Sequence, residues 1–271
     1  MAETKWPEPE NMSLPQTGVD SHAHLDSDKL WPDFTAVLQR AGQAGLQRIG
    51  QVFLNHAAYL DKIEMMAEHP ELFFLLGIHP SDGHLAAPDE WDSLARDFST
   101  DNRLRAVGEI GLDFYWKDCP RELQDGIFRL QLRMARTQDR PVVIHSRDAF
   151  TETINILDAE GWLGGPLLWH CFGGNKEQAA EIIKRGWHIS IPGAVTYPAN
   201  SALREAVAEI PIDRLMVETD CPYLSPQQWR GRRNEPALSV FTAQAVAQAK
   251  GMDTVELWTL CGHTALRFFG L

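Results

Sequence analysis

Two histidines flank one alanine in VDSHAHLD, residues 19–26. In an extended strand, residues two apart point the same way, so His22 and His24 can present two imidazoles to one ion. Alone the pair is weak, because a chain with 10 histidines produces an HxH by chance. The wider pattern carries more. His79 ends FFLLGIH, Glu109 lies in RAVGEIGLD, His145 ends the apolar run of PVVIHS, His170 follows LLW, and Asp220 closes RLMVETD. Imidazole nitrogens and carboxylate oxygens are the ligands of catalytic divalent cations. A lone histidine such as His145 also reads as a hydrogen-bonded structural residue, and Glu109 or Asp220 as a helix cap or an arginine partner. Their joint placement, each at the end of a different apolar run, is what points to a metal site.

The elements that must hold these residues are legible as an alternation. Short apolar runs, GVDSHAH, RIGQVFL, FFLLGIH, RAVGEIGLD, PVVIHS, LLWHCF, HISIPGAV and RLMVETD, are separated by longer segments of helical period. In PRELQDGIFRLQLRMARTQDR, Leu123, Ile127, Leu130 and Met134 define the expected buried face, with Arg121, Arg129, Arg133 and Arg136 toward solvent. FTAVLQRAGQAG, NKEQAAEIIKRG and ALSVFTAQAVAQAKG read likewise, the last two closing on glycine. Strand and helix alternating about eight times predict an α/β fold, a (β/α)8 TIM barrel. A doubly wound open sheet also satisfies the alternation, but such a fold usually carries its ligand on a glycine-rich first turn, and no GxGxxG follows the first strand. In a barrel, functional residues gather at the C-terminal strand ends, where these seven stand.

Composition bounds the reading. The chain has 271 residues, 44% of them apolar, enough for one large core. With 25 basic against 37 acidic residues the net charge is −12, which disfavours extended duplex binding. Cys119, Cys171, Cys221 and Cys261 form no CxxC pair or secreted disulfide framework, and reduced thiols suit a cytoplasmic protein. Cys171 and Cys221, next to His170 and Asp220, are expected by strand alternation to face the helix layer. His56, His69, His84, His188 and His263 read as structural or exposed. Residues 1–18 read as a flexible N-terminal arm without the basic start and apolar run of a secretory leader, and residues 19–271 as a single (β/α)8 barrel domain. No membrane span and no obligatory protein partner is evident.

The motifs DSHAHLD, GIHP, AVGEIGLDFYW, PVVIHSRDA, HCFGG, VETDCPYLSP and RGRRNEP, in this order over residues 20 to about 236, resemble those of the TatD-type metal-dependent deoxyribonucleases of the amidohydrolase superfamily. TLCGHTALRFFG is a looser match, since the family usually shows an asparagine near Thr264. The resemblance implies that His22, His24 and Asp220 hold one divalent ion, that His145 and His170 hold a second, and that Glu109 bridges them. Zn, Mn, Mg, Fe or Co would satisfy such nitrogen and oxygen ligands. It further implies hydrolysis of DNA phosphodiester bonds from a strand end, by water activated at the two ions, with Asp220 as general base.

The substrate side is less specific. His79 could orient substrate or hold a structural turn. Arg230, Arg232 and Arg233 lie close together in the loop after Asp220, and Arg147 follows His145 by two residues; their forks suit phosphate, or they pair with Glu235 and other acids. Tyr115, Trp116 and Trp229 could stack on bases or pack over the barrel mouth. A short basic cleft in an acidic body favours single-stranded DNA or a strand end. The competing reading is a superfamily hydrolase of a small ester, lactone, amide or phosphoester, against which the arginines argue.

Overall fold

The computed structural model describes residues 7–87 and 89–271. Among them the chain runs β1 (Gly18–Ala23), α1 (Phe34–Gln43), β2 (Leu46–Phe53), α2 (His56–Met66), β3 (Leu72–Leu76), α3 (Glu90–Thr100), β4 (Leu104–Asp113), α4 (Arg121–Thr137), β5 (Val142–Arg147), α5 (Phe150–Ala159), β6 (Leu167–Trp169), α6 (Lys176–Lys184), β7 (His188–Ile191), α7 (Ser201–Glu209), β8 (Leu215–Val217), α8 (Ser239–Lys250) and α9 (Thr254–Phe269). The eight strands lie in one sheet in chain order, and each neighbouring pair from β3 to β7 is parallel. This order and alternation are those of the expected (β/α)8 barrel. Every residue of β1 and β3 is buried, as in strands covered on both faces.

The chain divides into two compact units. The first takes in the chain through Gly50, with Cys171–Ala180 and Ser190–Arg267. In it, β1 lies beside the segment that follows β8. Ala23 bridges Cys221 in parallel, His24 N donates to Cys221 O at 2.8 Å, and Asp220 N donates to His22 O at 3.0 Å. The strand expected to run to Asp220 ends at Val217. Asp220 itself has φ 53°, a left-handed conformation that aspartate tolerates better than most residues. Of the expected arm, residues 1–6 lie outside the described residues. Pro9–Met12 form a 3-10 turn with Pro9 buried, and Trp258 Nε1 donates to Pro15 O at 2.9 Å. Thr264 is buried, its hydroxyl directed at Ile212 O.

The second unit comprises Gln51–His170, Glu181–Ile189 and Phe268–Leu271. Between β4 and β5 the register sets Gly111 opposite His145 and Asp113 opposite Arg147. Gly111 has φ 141°, and a Cβ there would stand 2.0 Å from His145 O, so only glycine lets β5 approach at that level.

Helix α4 is rotated from the expected face. It buries Gln124, Ile127, Phe128, Gln131, Leu132 and Ala135, while Leu123 and Leu130 are 39% and 47% exposed. The cause is that two amides serve strand ends. Gln131 Oε1 accepts from Ile78 N at 2.7 Å and its Nε2 donates to Ile78 O at 3.0 Å. Gln124 Oε1 accepts from Asp113 N at 2.8 Å, and its Nε2 donates to Asp113 O at 2.9 Å and Cys119 O at 3.0 Å. A hydrophobicity period counts glutamine as solvent-facing, yet here it satisfies buried backbone that has left the sheet ladder.

Gln124→Leu should therefore destabilise the protein by on the order of 1–3 kcal/mol, the cost of stranding buried polar groups. Leu130→Gln, on the exposed face, should change stability by less than about 0.5 kcal/mol. Urea unfolding of both variants checks this, and the opposite ranking would return α4 to the face read from its period.

Candidate metal centre

In the first unit, β1 and the segment after β8 bring His22, His24 and Asp220 together. The rings of His22 and His24 lie 5.1 Å apart, centroid to centroid. Asp220 Oδ1 is 3.4 Å from His24 Nε2 and 4.0 Å from His22 Nε2. The hydrogen bond from Asp220 N to His22 O is what places this carboxylate beside the HxH pair.

Three neighbouring residues escaped the reading of the sequence. Asp20 is fully buried and accepts from Thr219 Oγ1 at 2.6 Å, Thr219 N at 3.0 Å and His22 N at 3.3 Å. Burial pushes its carboxyl up to about 8 against the lowering effect of these hydrogen bonds. Glu218, also buried, accepts from Ser190 Oγ. Asn234 donates to Thr219 O at 2.9 Å and Tyr223 O at 2.6 Å, fastening the final loop to the strand end. The signal for Asp20 and Glu218 was available: acids inside apolar runs, two residues from a candidate ligand. Cys171, expected to face the helices, instead has φ 50° and lies with Sγ 3.9 Å from Asp220 Oδ2. The left-handed residue breaks the alternation on which that expectation relied.

In the second unit, Glu109 of β4, His145 of β5 and His170 after β6 converge. Glu109 Oε2 is 2.7 Å from His170 Nε2 and 3.0 Å from His145 Nδ1. The three residues offer ligand atoms all within 4.8 Å of one another. Two imidazoles and a carboxylate at that separation, with Glu109 inside β4 rather than at its end, fit a divalent cation in number, type and spacing. His79 holds a structural turn. Its Nδ1 accepts from Ser81 N at 3.1 Å, capping a turn, and its ring stands edge-on to His145 with centroids 4.5 Å apart.

Asp113 was also missed. Its Oδ2 lies 2.9 Å from His145 Nε2, while Oδ1 accepts from Tyr115 N at 2.9 Å and Trp116 N at 3.0 Å. Desolvation opposes charge on both partners, but the hydrogen bonds between them prevail. Asp113 is held below the usual carboxylate range, and His145, bonded to Asp113 and Glu109, is raised above that of a free imidazole. A carboxylate behind a ligand histidine fixes its ring and raises its basicity.

The arginines separate. Arg233 is committed to Asp33, with Nη1 at 2.6 Å and Nη2 at 2.9 Å from the two carboxylate oxygens, and also donates to Lys29 O and Glu235. Arg40 completes this network through Glu235 at 2.6 Å and Asp33 at 3.2 Å. Arg232 lies over Trp229 at 5.9 Å, and Arg230 over Tyr197 at 4.0 Å. Arg147 stacks on Tyr115 at 3.8 Å.

From this arrangement, Asp113→Ala should weaken divalent metal binding by roughly 10- to 100-fold, the usual effect of removing a carboxylate behind a ligand histidine. Asp113→Asn, which keeps an oxygen acceptor, should lose less. Competition against a chelating dye measures both, and unaltered affinity in the alanine variant would deny Asp113 this role.

Comparison with known proteins gives the arrangement its context. The family model described as TatD related DNase matches residues 19–270. An uncharacterized metal-dependent hydrolase of Bacillus subtilis, YabD, is 34% identical over 92% of this chain and 98% of its own length. A protein of Citrobacter rodentium named 3'-5' ssDNA/RNA exonuclease TatD is 32% identical over 93% of this chain and 97% of its own. The crystal structure of YJJV, a TatD homolog from Escherichia coli, superposes with a TM-score of 0.88 at 26% identity, covering 94% of this chain and 98% of that one. With a family match across nearly the whole chain and His, Glu and Asp clusters fit for metal, the chain belongs to the TatD family of metal-dependent hydrolases.

Proposed function

We propose that this chain hydrolyses phosphodiester bonds at the end of a single DNA strand, with two divalent ions as cofactors. His22, His24 and Asp220 would hold one ion and His145 and His170 the other, with Glu109 as a ligand to both. The observation that carries the reading is Glu109 Oε2 at 2.7 Å from His170 Nε2 and 3.0 Å from His145 Nδ1, a carboxylate placed for ligation rather than helix capping. The exonuclease named among the relatives supports the choice of substrate. Bound divalent ions supply Lewis acidity to a phosphoryl oxygen and lower the pKa of water.

The chain's own residues do the rest. Asp220, left-handed at φ 53° beyond the end of β8, takes a proton from the attacking water. The water oxygen bonds to phosphorus, the bond to the leaving oxygen breaks, and the proton passes to that oxygen. Arg147 and Arg232 receive phosphate oxygens, while Arg233, bound to Asp33, holds the loop that carries Arg232. His79 keeps the ring of His145 in place and faces substrate. Among the described residues no helix is long and apolar enough to cross a membrane. All four cysteines are free thiols, in keeping with a cytoplasmic setting.

Asp220→Asn keeps the shape and one oxygen but cannot accept a proton. It should lower kcat on a short oligonucleotide by about 10²- to 10⁴-fold with a much smaller change in KM. An activity loss matched by loss of metal, read by elemental analysis, would make Asp220 a ligand only. Glu109→Gln should lose bound metal and turnover together, and a variant that keeps both would place the shared ligand elsewhere. Turnover by the metal-loaded wild type on an ester, lactone or amide panel, with none on phosphodiesters, would replace the nuclease reading with that of a small-molecule hydrolase.

A further inference from the structure

The turn after β4 carries two large aromatics in water. Tyr115 and Trp116 are 50% and 51% exposed, and their rings meet edge to face with centroids 5.0 Å apart. Adjacent exposed aromatics on a slack loop would fold onto the body to bury their area. Here the backbone prevents it, because Asp113 Oδ1 accepts from the N–H groups of both residues, at 2.9 and 3.0 Å. The same carboxylate touches His145 Nε2 at 2.9 Å through its other oxygen. One buried group therefore fixes the aromatic pair relative to a metal-ligand imidazole.

Arg147 completes the feature. Its position opposite Asp113 in the β4–β5 register, with Phe114 N donating to Arg147 O at 2.9 Å, brings its side chain onto Tyr115 at 3.8 Å. Unlike Arg233, which is paired with Asp33, Arg147 is exposed and makes no ion pair among the described residues. A guanidinium stacked on one ring keeps its in-plane N–H donors for an anion. In a chain of net charge −12, an uncommitted cation beside two exposed rings is complementary to a group with both a flat apolar face and a negative charge.

We propose that Tyr115, Trp116 and Arg147 form a nucleotide subsite, in which an unstacked base lies on the aromatic pair and its flanking phosphate is bound by Arg147. The subsite rests on the phosphodiesterase reading and deepens it. A base can reach these rings only when it is out of a duplex stack, so the subsite selects single strands and frayed ends without reading sequence. Asp113 ties base recognition to the geometry of His145.

The test uses fluorescence anisotropy with the metal-loaded protein in an Asp220→Asn background, so that binding is read without turnover. Two labelled single-stranded oligonucleotides are compared, one complete and one with an abasic residue at its end. With the subsite intact, the complete strand should bind more tightly. Tyr115→Ala with Trp116→Ala should weaken the complete strand by roughly 5- to 150-fold and bring the ratio between the two strands close to one. Tyr115→Phe with Trp116→Phe should restore the ratio. Arg147→Ala should instead weaken both strands and flatten the salt dependence of binding by about 0.7 of a log unit for each phosphate that is no longer neutralised. A ratio unchanged by the double alanine variant, with metal content and melting temperature retained, overturns the subsite while leaving the phosphodiesterase reading intact. Absence of oligonucleotide hydrolysis by the metal-loaded wild type overturns both.

Discussion

A carboxylate taken out of water must have its oxygens met by donors, and in this chain that requirement organises the strand ends. Asp113, 1% exposed, divides its two oxygens between His145 and the backbone of the following turn. Asp20 does the same between Thr219 and the backbone of His22. A buried carboxyl oxygen left unmet would cost about 1–3 kcal/mol, and more where the group is charged, so each acid locks its neighbours as firmly as they hold it. The residues locked in this way are the ones beside the histidines.

The surrounding elements serve the same end. Gln124 and Gln131 of α4 occupy core positions that apolar residues would otherwise fill, and hold the backbone of Asp113 and Ile78 where strand pairing stops. Gly111 allows β5 to come close to β4 at the level of His145. Asn234 closes the loop after Asp220 onto Thr219 and Tyr223. Rigid support of this kind matters for a metal-dependent hydrolase, whose ligands must keep their separation when like charges and dipoles are crowded together.

The acidic surface and the arginines are reconciled by following each guanidinium to its partner. Arg40 and Arg233 are absorbed by Asp33 and Glu235, and together these four residues tie α1 to the loop after β8. Arg129 and Arg133 share Glu160. Arg147 is left on an aromatic ring, two residues past His145. Net charge thus says little about where an anion can bind; an uncommitted cation on a fixed support says more.

Sequence alone was enough for the strand order and for the family, because apolar runs of strand length between amphipathic segments admit few topologies and the motif order is specific. It also singled out His22, His24, Glu109, His145, His170 and Asp220, since strand ends in a barrel share one face. Residues tied to specific partners were not legible. The buried face of α4 was misread because a period measures apolarity, while Gln124 and Gln131 are buried for their hydrogen bonds. Asp113 and Asp20 were passed over, and Arg233 was left open between phosphate and an acidic partner, because the partner of a charged group is set by register and by the approach of distant segments. Asp33 and Arg233 are 200 positions apart. Cys171 and Asp220 turn left-handed where strand alternation would have continued. Sequence pattern determines which residues are brought to the strand ends, whereas only tertiary structure decides which donor meets which acceptor, because that depends on ångström-scale distances between parts of the chain that no local periodicity relates.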